Sequence, residues 1–207
     1  MQTFELTELQ LDSLAEIFNI GIGKAAASLS EMIDEDVQLA IPAVKCLPMQ
    51  KASSSLVADQ TAVLSAVEQN FSGEFEGTAF LLFPKGESLE LVRRLISSDL
   101  PLDELSEFEE DALKEVGNVI LNACFYTISD MLGCRLDGDI PSHVQGSCQE
   151  ILGRVDYSED EKVVLMLSMT FSIPSGDING EISYMMSVKS MQNFLHIIDA
   201  YLMQMAV

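Results

Sequence analysis

Two groups of polar residues in this chain are spaced for one face of a helix. At 3.6 residues per turn, Asp12, Glu16 and Asn19 fall within an arc of about 60°, and Asp111, Glu115 and Asn118 do the same. Each stripe sets carboxylates, which only accept hydrogen bonds, beside an amide that accepts through oxygen and donates through nitrogen. Groups of this kind can pair with a cation and position a water. Acids near a helix N-terminus also complement the macrodipole, which accounts for Asp12 and Asp111 without any chemistry. It does not account for asparagine, a poor helix former in mid-helix, standing at the same place twice.

The stripes are part of a longer repetition at an offset of 99. Asp12, Leu14, Glu16, Asn19, Ser30, Met32 and Pro42 recur without gaps as Asp111, Leu113, Glu115, Asn118, Ser129, Met131 and Pro141. Each copy opens on an S/T-x-x-E/Q pattern, Thr7 with Gln10 and Ser106 with Glu109, which predicts a capping box at both helix starts. Apolar residues then recur at steps of three and four, from Leu11 to Met32 and from Leu113 to Met131, so both helices bury one face. Gly21, Gly23 and Ala26, near the end of the first stripe, are small enough to admit a partner's backbone.

After each helix come an extended stretch with the shared proline, a more variable segment, two apolar strands and a helical tail. The strands are predicted over 62–69 and 78–83 and again over 162–172 and 181–188, with tails over 87–96 and 190–201. The fold class expected is α+β: a pseudo-twofold pair of helix, hairpin and helix units around a mainly antiparallel sheet, with the two long helices on the surface. The organisation expected is a single domain, 1–207, made of repeats at about 5–98 and 104–205, with the polar stretch Ser97 to Glu107 as the seam. Pro42 and Pro141 are expected to fix the extended approach to a strand.

Composition narrows the function. Eleven Lys and Arg face 33 Asp and Glu in 207 residues, and a net charge of −22 repels nucleic acid and anionic membrane surfaces. The N-terminus lacks the features of a signal peptide, and no apolar run approaches the roughly 20 residues that cross a bilayer, so a cytoplasmic protein without membrane insertion is expected. Cys46, Cys124, Cys134 and Cys148 form no CxxC pair, and His143 and His196 have no ligand-like neighbours, which predicts reduced thiols and no metal site. Gly21 to Lys24 is not a phosphate loop, because Phe18 and Ala25 occupy the places of its first Gly and its Ser or Thr. The eleven methionines are expected as core filler and a C-terminal packing face.

The spacing Asp or Ser, three residues, Glu, two residues, Asn, twenty-two residues, Pro resembles the signature of the CheC, CheX and FliY chemotaxis phosphatases. It occurs twice here, as Asp12, Glu16, Asn19, Pro42 and as Asp111, Glu115, Asn118, Pro141. Length, duplication and element order also look like CheC across nearly the whole chain. The resemblance implies a phosphatase of the aspartyl phosphate on a CheY-like response regulator. Asn19 and Asn118 would orient the in-line water, as a glutamine amide does in a GTPase. Glu16 and Glu115 would dock on a lysine beside the regulator's phosphorylation site. It further implies no cofactor of the chain's own, magnesium held by the regulator, and CheD as a possible second partner. The alternative it leaves open is a non-catalytic binding module for CheD or for the phosphorylated regulator.

The first copy departs from the family pattern. Glycine normally precedes the asparagine, as Gly117 does, but the first copy has Phe18; and Gly21-Ile22-Gly23-Lys24 replaces the usual Gly-Ala-Gly-Asn. Phe18 either packs in the core or crowds a docking helix, so more of the activity is expected from Asn118.

Overall fold

The computed structural model describes residues 6–56, 62–96, 101, 104–155, 162–174 and 176–205. Most of the expected seam, 97–100 and 102–103, lies outside them. In chain order the elements are α1 (Glu8–Ile33), β1 (Gln38–Pro48), α2 (Met49–Leu56), β2 (Leu64–Gly73), β3 (Gly77–Pro84) and α3 (Lys85–Leu95). The second half follows with α4 (Ser106–Leu132), β4 (Leu136–Gly138), β5 (Ser142–Gly146), α5 (Cys148–Gly153), β6 (Lys162–Ile173), β7 (Gly176–Ser187) and α6 (Val188–Met205). This is the α+β class expected. The helices α2 and α5 were not foreseen: they are short and fall in the variable segments, where no long apolar period marks them.

All described strand pairings are antiparallel and join in one sheet, in the order β1-β6-β7-β3-β2, with β4 and β5 both paired to β2. The hairpin β2–β3 of the first half is edged by β4 and β5 of the second, and the hairpin β6–β7 is edged by β1 of the first. Neither half completes its own sheet. Leu14, Leu91, Ile120 and Phe194 of α1, α3, α4 and α6 enter the main core on one face, while Ala52 of α2 and Ile151 of α5 cover a smaller cluster on the other. Among the described residues no helix is long and apolar enough to cross a membrane, and no cluster of His, Cys, Asp and Glu could hold a metal ion.

The two long helices begin differently. Thr7 and Gln10 form the capping box: the Gln10 N–H donates to Thr7 Oγ1 at 3.2 Å, and the Thr7 N–H donates to Gln10 Oε1 at 2.9 Å. The second box does not form. Leu105 takes the cap position, and Glu109 turns into the protein, fully buried, where it receives Lys85 Nζ, Ser88 Oγ (2.5 Å) and Gln145 Nε2 (2.7 Å). Burial pushes the Glu109 carboxyl up, but the donors around it, Lys85 first, outweigh that and hold it below the usual carboxylate range. A buried acid with a facing cation does better paired than reaching back for one exposed N–H.

The cysteines are free. Burial pushes Cys124 and Cys46 up to about 12 and Cys148 to about 11, which leaves these thiols unreactive at neutral pH.

Candidate functional site

Each long helix has to bury its apolar face and leave its polar stripe in water, and both do. Leu14, Ile17 and Phe18 on α1, and Leu113, Val116 and Gly117 on α4, are buried, while Asp12, Glu16 and Asn19, and Asp111, Glu115 and Asn118, are exposed. Among the described residues neither Glu16 nor Glu115 has a hydrogen bond or ion pair, so both carboxylates face solvent available for a partner.

The stripe on α4 stands beside a break in the sheet edge. Where the first half runs one long strand, β1, the second has two short ones, and residues 139–141 between them leave the ladder. Proline has no N–H to give a ladder, so a strand bulges or breaks there. Pro141 occupies that break just before β5; Pro42 lies within β1, where the register with β6 shifts between Ala40 and Ala43. The expectation that both prolines precede a strand therefore holds only for Pro141. Asp111, Glu115, Asn118 and Pro141 together line an open groove of about 810 Å³, completed by Lys114, Asn122 and residues 138–140. We call this site two.

The Asn118 amide is aimed by a relay. Buried Gln69 on β2 donates through Nε2 to the Asp139 carbonyl (2.7 Å) and to Asn122 Oδ1 (2.9 Å). Asn122 is thereby left to donate, and its Nδ2 gives a hydrogen bond to Asn118 Oδ1 at 2.7 Å. Asn118 keeps its Nδ2 and the second lone pair of Oδ1 for the groove. Beside it, Lys114 Nζ lies 3.1 Å from Glu110 and 3.2 Å from Asp111, and these hydrogen bonds, that to Glu110 first, raise its pKa, so it stays charged. Sequence reasoning missed Asn122, Gln69 and Lys114. Asn122 follows Asn118 by four residues, on the same face, but its counterpart is Gly23 and that of Lys114 is Ala15, so a search for repetition passes over both.

Site one is arranged differently. Asn19 Nδ2 donates to the Ala15 carbonyl (2.8 Å) and to the Ile41 carbonyl (3.3 Å), while Asn19 Oδ1 accepts from the Ile41 N–H (3.0 Å). The amide thus pairs with the residue just before Pro42 as a strand neighbour would, at the point where the bulge takes β1 off β6. Phe18 does not crowd this surface: it is 1% exposed, its ring 5.2 Å from that of Tyr184. Nor is Gly21 free for an outside partner. A Cβ there would stand 3.2 Å from Cys124 Cα, so Gly21 lets α1 and α4 pack closely, whereas Gly23 is open. Ala26 is buried as well.

No protein-family model matches the chain. Over 139 residues, 66% of its length, it is 24% identical to the CheY-P phosphatase CheC of Bacillus subtilis (strain 168), and over 176 residues, 84% of its length, it is 22% identical to the flagellar motor switch phosphatase FliY of the same organism. The chain is thus similar in sequence to the CheC and FliY phosphatases over most of its length. The matched stretches span 66% of that CheC and 45% of that FliY. The same fold is seen in the crystal structure of Thermotoga maritima FliY, with a TM-score of 0.76 at 18% identity, covering 96% of this chain and 100% of that one. A chain of the CheX-CheY-BeF3-Mg+2 complex from Borrelia burgdorferi matches with a TM-score of 0.50 at 19% identity, covering 83% of this chain and 97% of that one.

Proposed function

We propose that this chain, similar to CheC and FliY, is a phosphatase of the aspartyl phosphate on a CheY-like response regulator, acting in the cytoplasm through site two. The observation that carries the proposal is the Asn118 amide, held by the Gln69–Asn122 relay with its nitrogen and one oxygen lone pair turned to a groove that also presents Glu115. The names of the curated relatives support the activity, and the complex of CheX with CheY supports the partner.

In this reading Glu115 pairs with a lysine of the regulator and sets α4 in register, its charge neutralised before the phosphoryl group arrives. Asn118 Oδ1 accepts a hydrogen from a water placed in line with the acyl phosphate, and Nδ2 donates to a phosphoryl oxygen. As the water oxygen bonds to phosphorus, the bond from phosphorus to the regulator's aspartate oxygen breaks, that residue leaves as carboxylate, and inorganic phosphate departs with the water's proton passing to solvent. Most of the work is orientation, which contributes several kcal/mol in phosphoryl transfer. Magnesium belongs to the regulator, and site one contributes a minor share of turnover. CheD remains a possible second partner of the same chain.

The test is the decay of a phosphorylated CheY-like regulator with wild type, Asn19→Ala, Asn118→Ala and the double variant. Wild type should accelerate decay, Asn118→Ala should lower that acceleration by about a hundredfold, and Asn19→Ala should keep most of it per folded molecule. A wild type that binds regulator and leaves its decay unchanged would make the chain a binding module instead.

A further inference from the structure

Site two has an apolar component that phosphate chemistry does not use. Ile140 is 92% exposed, more than any other large apolar side chain among the described residues, and it lines the same groove as Glu115 and Asn118. A lone exposed apolar side chain is ordinary on a protein surface, but this one is held out. The Asp139 N–H donates to the Asn70 carbonyl at 2.8 Å, the Asp139 carbonyl accepts from buried Gln69, and Pro141 fixes its own φ on the other side. At the equivalent position in site one, Ile41 is 4% exposed. The same residue type is thus packed inside at one site and presented at the other.

The groove also continues. A second trough of about 490 Å³ shares Asn122 and Gly138 with the first and includes Tyr126, which is 70% exposed. Asn118, Asn122 and Tyr126 follow at steps of four, on one face of α4. The polar centre therefore has an apolar post on either side: Ile140 across the groove and Tyr126 two turns along the helix. Polar contacts in a docking surface strengthen when apolar neighbours exclude water from them, since the local dielectric falls. Glu115 and Asn118, both open to solvent in the free protein, need such a rim.

We propose that Ile140 and Tyr126 are the apolar anchors of a docking surface along α4 that seats the CheY-like receiver domain whose phosphate site two removes. The occupant is assigned from continuity with the groove of Asn118, so the proposal rests on the phosphatase reading. Receiver binding is then expected to depend on two side chains that take no part in the reaction.

The experiment measures binding of a CheY-like receiver domain, activated with beryllofluoride and magnesium, to the full chain at 0.1 and 0.5 M salt, with regulator decay followed in parallel. Ile140→Ser should weaken binding about tenfold at both salt concentrations, Tyr126→Ser should weaken it several-fold, and Ile140→Val should stay within about twofold of wild type. The Ser variants should raise KM and keep kcat, with unchanged melting temperatures because both side chains are exposed. Serine variants that bind within twofold of an active wild type overturn the docking surface and leave the phosphatase reading intact. A wild type that neither binds the receiver nor speeds its decay overturns the phosphatase reading itself, and the docking surface with it.

Discussion

Asn19 and Asn118 stand 99 residues apart at equivalent places on equivalent helices, and the protein uses them differently. Asn19 completes a strand: its amide satisfies both backbone groups of Ile41 where Pro42 breaks the ladder. In the second half the edge strand is cut into β4 and β5, and the broken segment is held from the sheet side, by Asn70 and Gln69 on β2. Asn118 is released from that duty. A side chain that is both donor and acceptor serves equally as a substitute peptide group and as an open donor and acceptor on a groove, and the neighbouring strand decides which.

The largest effect separating the sites should appear in stability. Asn19→Ala leaves the N–H and C=O of nearly buried Ile41 without their partner, and an unsatisfied buried polar group costs about 1–3 kcal/mol. The unfolding free energy from a urea titration should fall by that amount, lowering the midpoint, while the folded protein retains its rate in the decay assay. Asn118→Ala should behave in reverse, with stability within about 0.5 kcal/mol of wild type, as for an exposed substitution. Should Asn19→Ala leave the midpoint unchanged and halve the rate, site one is a working site and the contrast collapses.

A smaller and sharper test lies one residue earlier. At Gly117 a Cβ would come within 2.4 Å of Val67 Cγ1 and 2.8 Å of Val67 Cβ, so α4 lies directly on β2. Val67 is β-branched and stiff at χ1, so it cannot swing aside. Gly117→Ala gains about 1 kcal/mol of helix propensity and loses about 1–3 kcal/mol to overpacking, for a net loss of up to about 2 kcal/mol. Because the helix has to lift where Asn118 begins, the decay assay should show a larger loss than the denaturation curve. Retention of full turnover in Gly117→Ala would mean that the seating of α4 on β2 does not set the Asn118 geometry.

Much of this was legible in the sequence, for reasons that differ by residue. The exposed stripes and buried faces follow from the period of 3.6, and the strands β2, β3, β6 and β7 from short apolar runs, both of which are local, and duplication reinforced them. What could not be read depends on neighbours distant in sequence. Nothing around Asn19 announces that Ile41 will return beside it, and nothing around Glu109 announces Lys85 and Ser88, so a capping box was the better local expectation. Gly21 suggested room for an outside partner, yet the backbone that approaches it is that of α4. The exchange of edge strands between the halves is likewise invisible, because each strand's pattern is the same whichever hairpin it joins.

The smallest expected effect concerns Lys114, a charge present at site two and replaced by Ala15 at site one. In a chain of net charge −22 the first turns of α4 carry Glu110, Asp111 and Glu115 close together, and an anionic phosphoryl group approaching them meets like charge. Lys114 is tied to Glu110 and Asp111 and lines the groove four residues before Asn118, so it offsets part of that field. A unit charge acting through water at the range of a groove is worth roughly threefold in rate. Lys114→Ala should therefore lower kcat/KM for the phosphorylated regulator about threefold at low ionic strength, and the deficit should close towards 1 M salt, where the Debye length shrinks to about 3 Å. A loss that persists undiminished at high salt would assign Lys114 to direct contact with the phosphoryl group, and site two would then differ from site one by a substrate ligand as well as by the freedom of its asparagine.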